Sequence, residues 1–343
     1  MDKLRKKTLK TKRGYTYTYY TTPGGESSTS TPALFFVHGF PDSAHLWKNV
    51  IANLSDLPNK IVAPDVLGYV GTDKPTDISE YNHKGQANDL ADIIAAENIE
   101  STIIIGHDWG SVIVQRTYLH HPDLFSAMIL LNVHYMPPTH QKFDLDSVND
   151  LTTKAYGYPV YAYWELFGAE DGAQIINANL EKMYEVLHGD APDWMLKMFC
   201  VKGGMKHYLL DNERVPLMEY AQRPEWKDAF MKQFEKDGFD APLKMYKAAI
   251  GNYHAEGDQE LLRQSLVIQK PVLFIGCTGD VVCRIDYGDA PKKAGLLPDL
   301  EEVIIEAGHW VPMHKPEEVA DHIKNFVQKR FPSGAKISSI EQN

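Results

Sequence analysis

Short apolar runs that end in a glycine or a polar residue recur along this chain and set its expected architecture. Residues 33–37 (Ala-Leu-Phe-Phe-Val) end at His38-Gly39, and residues 60–63 (Lys-Ile-Val-Ala) end at Pro64-Asp65. Residues 102–105 (Thr-Ile-Ile-Ile) end at Gly106, and residues 127–131 (Ala-Met-Ile-Leu-Leu) end at Asn132. Runs that are continuously apolar and rich in β-branched residues read as strands buried on both faces. Between the second and third runs, residues 86–97 place Leu90, Ile93 and Ile94 on one helical face. This alternation predicts an α/β fold, a mostly parallel sheet flanked by helices.

The alternation stops after Asn132. Residues 136–262 are aromatic-rich and helical in texture, without a convincing buried strand. It resumes with strands at 271–275 and 303–305 and a final amphipathic helix at 316–331. The organisation expected is therefore a core in two parts, residues 1–135 and 263–332, interrupted by a helical lid at 136–262. Residues 333–343 read as a disordered tail. Open α/β sheets place their sites at the carboxyl ends of their strands, which is where such a lid would lie. The basic stretch 3–13 lacks an apolar stretch, so it does not read as a secretory signal. It runs into the alternating residues 15–20 (Tyr-Thr-Tyr-Thr-Tyr-Tyr) and reads as the solvated face of an opening hairpin.

Composition narrows the class. With 343 residues, 43% hydrophobic and 24% charged, the chain is an ordinary globular one. A formal net charge of −11 argues against nucleic-acid binding, which needs a basic face. No apolar run reaches the length of a membrane span. Cys200, Cys277 and Cys283 form an odd set without metal-ligand spacing, which fits a reducing compartment. A cytoplasmic protein is expected, with a homodimer left open.

The candidate chemistry lies at the strand ends. Gly106-His107-Asp108-Trp109-Gly110 has the glycine spacing of a nucleophile elbow, the sharp strand-to-helix turn usually written G-x-S-x-G, with aspartate at its centre. A carboxylate is ionised at neutral pH and attacks without a base to deprotonate it. It suits displacement at saturated carbon better than ester hydrolysis. Asp280 follows the strand at 271–275, and His309 follows the strand at 303–305. Nucleophile, acid and histidine thus occur in the chain order that α/β-hydrolases use. His38-Gly39-Phe40-Pro41 supplies the turn that would aim the Phe40 N–H, with that of Trp109, into an oxyanion hole.

From about residue 9 to 331, the chain resembles the soluble epoxide hydrolases of the α/β-hydrolase fold, fungal members most of all. The strings that carry the resemblance are His38-Gly39-Phe40-Pro41, Gly106-His107-Asp108-Trp109-Gly110-Ser111, and Gly308-His309-Trp310 followed by Met313 and Lys315-Pro316. The resemblance implies that Asp108 attacks an epoxide carbon to form an alkyl-enzyme ester. His309 and Asp280 would then activate water to release a vicinal diol. Two lid tyrosines would hold and protonate the epoxide oxygen. Tyr163, in the aromatic string Val160-Tyr161-Ala162-Tyr163-Trp164, fits the first, and Tyr246, after Ala241-Pro242-Leu243, fits the second. Together with Trp109 they would also bind the substrate. Epoxide and water are the only partners implied, with no metal or organic cofactor. One position departs from the family pattern: Val70, in Gly68-Tyr69-Val70-Gly71, stands where glycine is common. Valine is a poor fit to a positive φ, so a different turn is expected there.

A haloalkane or haloacid dehalogenase is the chief rival, because it uses the same Asp–His–acid core. Trp109 is shared with haloalkane enzymes, and Trp164 could supply a second indole N–H for halide. Against this, Phe40 lacks the amide side chain that many of them carry there, and fluoroacetate dehalogenases have arginine at the position of Trp109. Halide leaves as an anion, whereas an epoxide opens to an alkoxide whose conjugate acid is about as weak as water, near pKa ~15.7. That oxygen needs a proton, and a phenol of pKa about 10 can supply it. An ester or lactone hydrolase fits less well without serine at 108. A non-catalytic ligand-binding relative would not need Asp108, Asp280 and His309 together.

Overall fold

The structure is a computed structural model that describes residue 1, residues 3–25 and residues 27–332. The expected disordered tail at 333–343 lies outside the described residues. Among the described residues, eight strands form one sheet: β1 (Arg5–Lys10), β2 (Thr16–Thr21), β3 (Ala33–Val37), β4 (Ile61–Pro64), β5 (Thr102–His107), β6 (Phe125–Leu131), β7 (Val272–Cys277) and β8 (Leu300–Ile305). Their order across the sheet is β1-β2-β4-β3-β5-β6-β7-β8. The first two strands make the expected hairpin, with Leu9 opposite Tyr17, and β2 pairs antiparallel with β4. All later pairings are parallel.

Side-chain alternation within the central strands explains their unbroken apolar texture. Leu34, Phe36, Ile103, Ile105, Ile129 and Leu131 enter the core on one face. Phe35, Val37, Ile104, Met128 and Leu130 enter the core on the other. Both faces are covered, so neither needs polar residues. At the far edge, β8 is only partly covered and alternates accordingly.

The helix expected at 86–97 starts earlier, at His83–Ala96. Asn82 caps its N-terminus by accepting the Gly85 N–H at 2.7 Å, a start signal that the apolar periodicity alone does not carry. Glu97, just past this helix, anchors the opening hairpin through Lys7 and Tyr19 and also pairs with Lys60, just before β4.

Val70 corrects one expectation. Its φ is +43°, so the turn is not rebuilt around valine; the β-branched residue itself sits in the left-handed region.

Between β6 and β7 the chain adds helices and no strand to the sheet, from Leu145–Tyr156 to Ala255–Leu261. Aromatics from this insert sit on the loop after β3. The Phe40 ring lies 5.0 Å from that of Phe167, 5.8 Å from Phe239 and 5.1 Å from Tyr246. Among the described residues, no helix is long and apolar enough to cross a membrane.

Candidate active site

β5 runs fully buried to His107, and Asp108 then takes φ +54° and ψ −127° before the helix Trp109–His120 begins. Such a backbone is strained for any residue with a Cβ and holds only where its surroundings enforce it. The two glycines of the elbow are required by contact. A Cβ on Gly106 would strike the carbonyl of Gly110, and one on Gly110 would strike the carbonyl of Val37. The result exposes the Asp108 side chain at the end of the strand.

The loop after β3 meets this carboxylate. The Phe40 N–H donates to Asp108 Oδ1 at 2.8 Å. Gly39 lies so close that a Cβ would collide with that same oxygen. His38 fixes the loop from below: its Nδ1–H donates to the Gly39 carbonyl at 2.9 Å, and its Nε2 accepts the Val66 N–H at 3.0 Å.

His309 Nε2 lies 3.5 Å from Asp108 Oδ2, and its Nδ1–H donates to Asp280 Oδ2 at 2.6 Å. Asp280 is well held, because Oδ1 accepts the N–H groups of Val282 and Cys283 at 3.1 and 2.8 Å. Burial alone would lower the His309 pKa, but the carboxylates of Asp280 and Asp108 outweigh it and hold the imidazole well above its usual range. Burial opposes ionisation of both carboxyls, and His309 reverses that, so each titrates below the ordinary aspartate value. The mutual attraction favours an imidazolium between two carboxylates over the neutral forms.

Asp108 opens onto a cavity of about 450 Å³ walled by Trp109, Val112, Phe143, Tyr161, Tyr163 and Trp164 among others. That volume lies within the usual range for small-molecule sites, roughly 300–1,000 Å³. A smaller cavity of about 20 Å³ is lined by Asp108, Phe40, Tyr163, Tyr246, His309 and Trp310. The rings of Tyr163 and Tyr246 stand 5.9 Å apart and nearly perpendicular. Burial, with the nearby Asp108 charge adding to it, pushes both phenols well above their usual range, so both stay protonated. Of the residues singled out from sequence, Phe40, Asp108, Trp109, Tyr163, Tyr246 and His309 line these two cavities, and Asp280 stands behind His309.

Several neighbours were not singled out. Asn132, at φ +64° just past β6, donates its side-chain N–H to Asp280 Oδ2 at 2.8 Å. Its place at a strand end was the available signal. His107 Nε2–H donates to the His309 carbonyl at 2.8 Å, tying the elbow to the histidine loop. Half-buried Asp42 has its Oδ2 enclosed beside the pair, and desolvation pushes its carboxyl up to about 7. Cys283 joins Asp108 and His309 in a group whose donor atoms lie within 4.8 Å of one another, close enough for a metal ion to bridge. Asp108 and His309 are also the candidate reacting groups, so such an ion would occupy the place of the expected nucleophile.

A sheet of this order with a nucleophile elbow after β5 and a histidine after β8 defines the α/β-hydrolase fold, and this chain has it. The family described as "alpha/beta hydrolase fold" matches residues 32–167. The chain is 26% identical over 314 residues to the rat protein named bifunctional epoxide hydrolase 2, covering 91% of this chain. It spans only about half that relative's length, 54%. It is 27% identical over 309 residues to epoxide hydrolase A of Mycobacterium tuberculosis, covering 86% of this chain and 90% of that one. The solved structure of an epoxide hydrolase from an endophytic Streptomyces superposes with a TM-score of 0.78 at 24% identity, covering 96% of each chain.

Proposed function

We propose that this chain is an epoxide hydrolase that makes a vicinal diol through an ester on Asp108, with residues 136–262 as its lid. One observation carries this reading. A carboxylate stands at the elbow with the Phe40 N–H on one oxygen and His309 facing the other, and two protonated phenols share its cavity. The relatives named as epoxide hydrolases support it.

In this mechanism Asp108 Oδ2 attacks an epoxide carbon and the carbon–oxygen bond breaks. Tyr163 and Tyr246 hold the departing oxygen, and one of them gives it a proton. Esterification removes the charge on Asp108 that helped raise the His309 pKa. The imidazolium then gives up its proton to restore the phenol, and neutral imidazole becomes a base. It deprotonates water, which attacks the ester carbonyl carbon. The oxyanion forms on Oδ1, stabilised by the N–H groups of Phe40 and Trp109. Collapse releases the diol and restores the carboxylate. Epoxide and water are the only reactants. The three free cysteines and acidic composition suit a reducing cytoplasm.

A dehalogenase is the second reading, because Trp109 and Trp164 line the same cavity and the Trp164 Nε1–H is buried without a partner among the described residues. Styrene-type, fatty-acid and terpene epoxides should be assayed for diol, with halide release from haloalkanes followed in parallel. Diol formation without halide release is expected. Halide release with every epoxide left intact would replace this reading with the second.

A further inference from the structure

Four histidines that the proposed reaction does not use line the large cavity, His83, His134, His140 and His254, and two of them form a pair. His83 opens the helix His83–Ala96, and His254 precedes the helix Ala255–Leu261. Their rings stack face to face, with centroids 3.4 Å apart and planes at 1°. Trp109 links this pair to the reacting end, its ring 6.0 Å from that of His83 and 5.3 Å from that of Tyr246.

The hydrogen bonding of the pair is incomplete. The backbone N–H of His83 donates to His254 Nδ1 at 3.1 Å, which puts the proton of neutral His254 on Nε2. That Nε2 is buried without a partner among the described residues, as are both ring nitrogens of His83, a residue only 6% exposed. Arg116 is already engaged: it pairs with both Asp258 oxygens at 2.8 and 3.1 Å and with the Met136 carbonyl at 2.7 Å. Burial, with Arg116 adding to it, pushes His254 down to about 3; burial and the His254 ring hold His83 well below its usual range. Both rings are therefore neutral. Each unmatched buried polar atom costs roughly 1–3 kcal/mol, a penalty that phenylalanine at either position would not incur. Both residues line the cavity, and an uncharged N–H suits an uncharged acceptor oxygen better than an anion.

We propose that His83 and His254 form a recognition subsite for a carbonyl oxygen carried by the substrate, at the far side of Trp109 from its epoxide ring. This rests on the epoxide hydrolase reading and narrows it to epoxides that bear such a carbonyl.

Two measurements test it on the full chain. The first compares binding of 4′-ethylacetophenone, which has no epoxide, with that of its hydrocarbon counterpart 1-ethyl-4-isopropylbenzene by calorimetry. The second compares kcat/KM for para-acetylstyrene oxide and para-isopropylstyrene oxide, with homologues one methylene longer. The ketone partner should be favoured roughly 10-fold in both, the worth of one neutral hydrogen bond. His83→Phe should bring the ketone-to-hydrocarbon ratio to about one in both measurements, and His254→Phe should do the same where melting shows that it folds. Equal binding of ketone and hydrocarbon to the unmodified protein overturns the subsite, as does a preference that survives both changes. Retained ketone preference with no epoxide hydrated would instead sink the hydrolase reading and leave the subsite standing.

Discussion

The backbone N–H of Phe40 donates to Asp108 Oδ1 at 2.8 Å, so the two oxygens of the nucleophile are not equivalent. In the proposed mechanism Oδ2, which faces His309, attacks, and Oδ1 becomes the ester carbonyl oxygen already seated against a donor. The contact depends on Gly39, where a Cβ would collide with the carboxylate. Gly39→Ala is expected to slow hydrolysis of the ester by roughly 10²-fold or more, the scale of losing one oxyanion donor. Single-turnover decay of the preformed ester, measured beside a melting curve, would check this, and an undiminished hydrolysis rate would count against the arrangement.

The two phenols should act on the first half-reaction only. Tyr163→Phe and Tyr246→Phe should each slow alkylation by roughly 10²-fold, about 3 kcal/mol, and the double change should nearly abolish it. Hydrolysis of the preformed ester should change much less. Single-turnover rates for the two steps separate these outcomes; equal losses in both would mean that the tyrosines merely shape the pocket.

Opposite pH responses are expected from the two steps. Asp108 titrates below the ordinary aspartate value because His309 outweighs its burial, so alkylation should persist into acid. Ester hydrolysis needs neutral His309. In the ester one of the two carboxylates that raise this imidazole has lost its charge, so its pKa falls below that of the resting enzyme. Hydrolysis should therefore rise with pH to a plateau, and ester should accumulate on the acid side. Rapid-quench mass measurement across pH would show this. Both steps falling together in acid would contradict it.

Val70 at φ +43° reverses the usual ranking of small residues. Val70→Gly and Val70→Ala both remove the side chain, but only alanine keeps a Cβ in the left-handed region, at roughly 1–2 kcal/mol. Glycine gives back part of that in unfolded-chain entropy, so Val70→Gly should be about 1 kcal/mol more stable than Val70→Ala. Urea midpoints decide it, and an alanine variant as stable as the glycine one would refute the strain.

The fold was largely legible because buried parallel strands declare themselves as short apolar runs. Asp108, Asp280 and His309 were singled out at the ends of such runs, and the structure brings the three side chains together. What escaped depends on contacts that no local pattern encodes. Asn132 reaches Asp280 across 148 positions, and His107 reaches the His309 carbonyl across 202. Asp42 looks like a turn aspartate until burial beside the reacting pair gives it an unusual pKa. The capping by Asn82 and the strain at Val70 are similarly decided by backbone geometry and tertiary packing rather than by hydrophobic pattern.

Covalent attack by Asp108 is the central claim, and a single turnover in ¹⁸O-water tests it most directly. With enzyme in excess over an epoxide that it hydrates, the oxygen added to the diol should come from the unlabelled Asp108 carboxylate. The label should then be found by peptide mass analysis in Asp108 itself. Label passing straight into the diol, with Asp108 unlabelled, would mean that water attacks the epoxide directly and would contradict the ester mechanism.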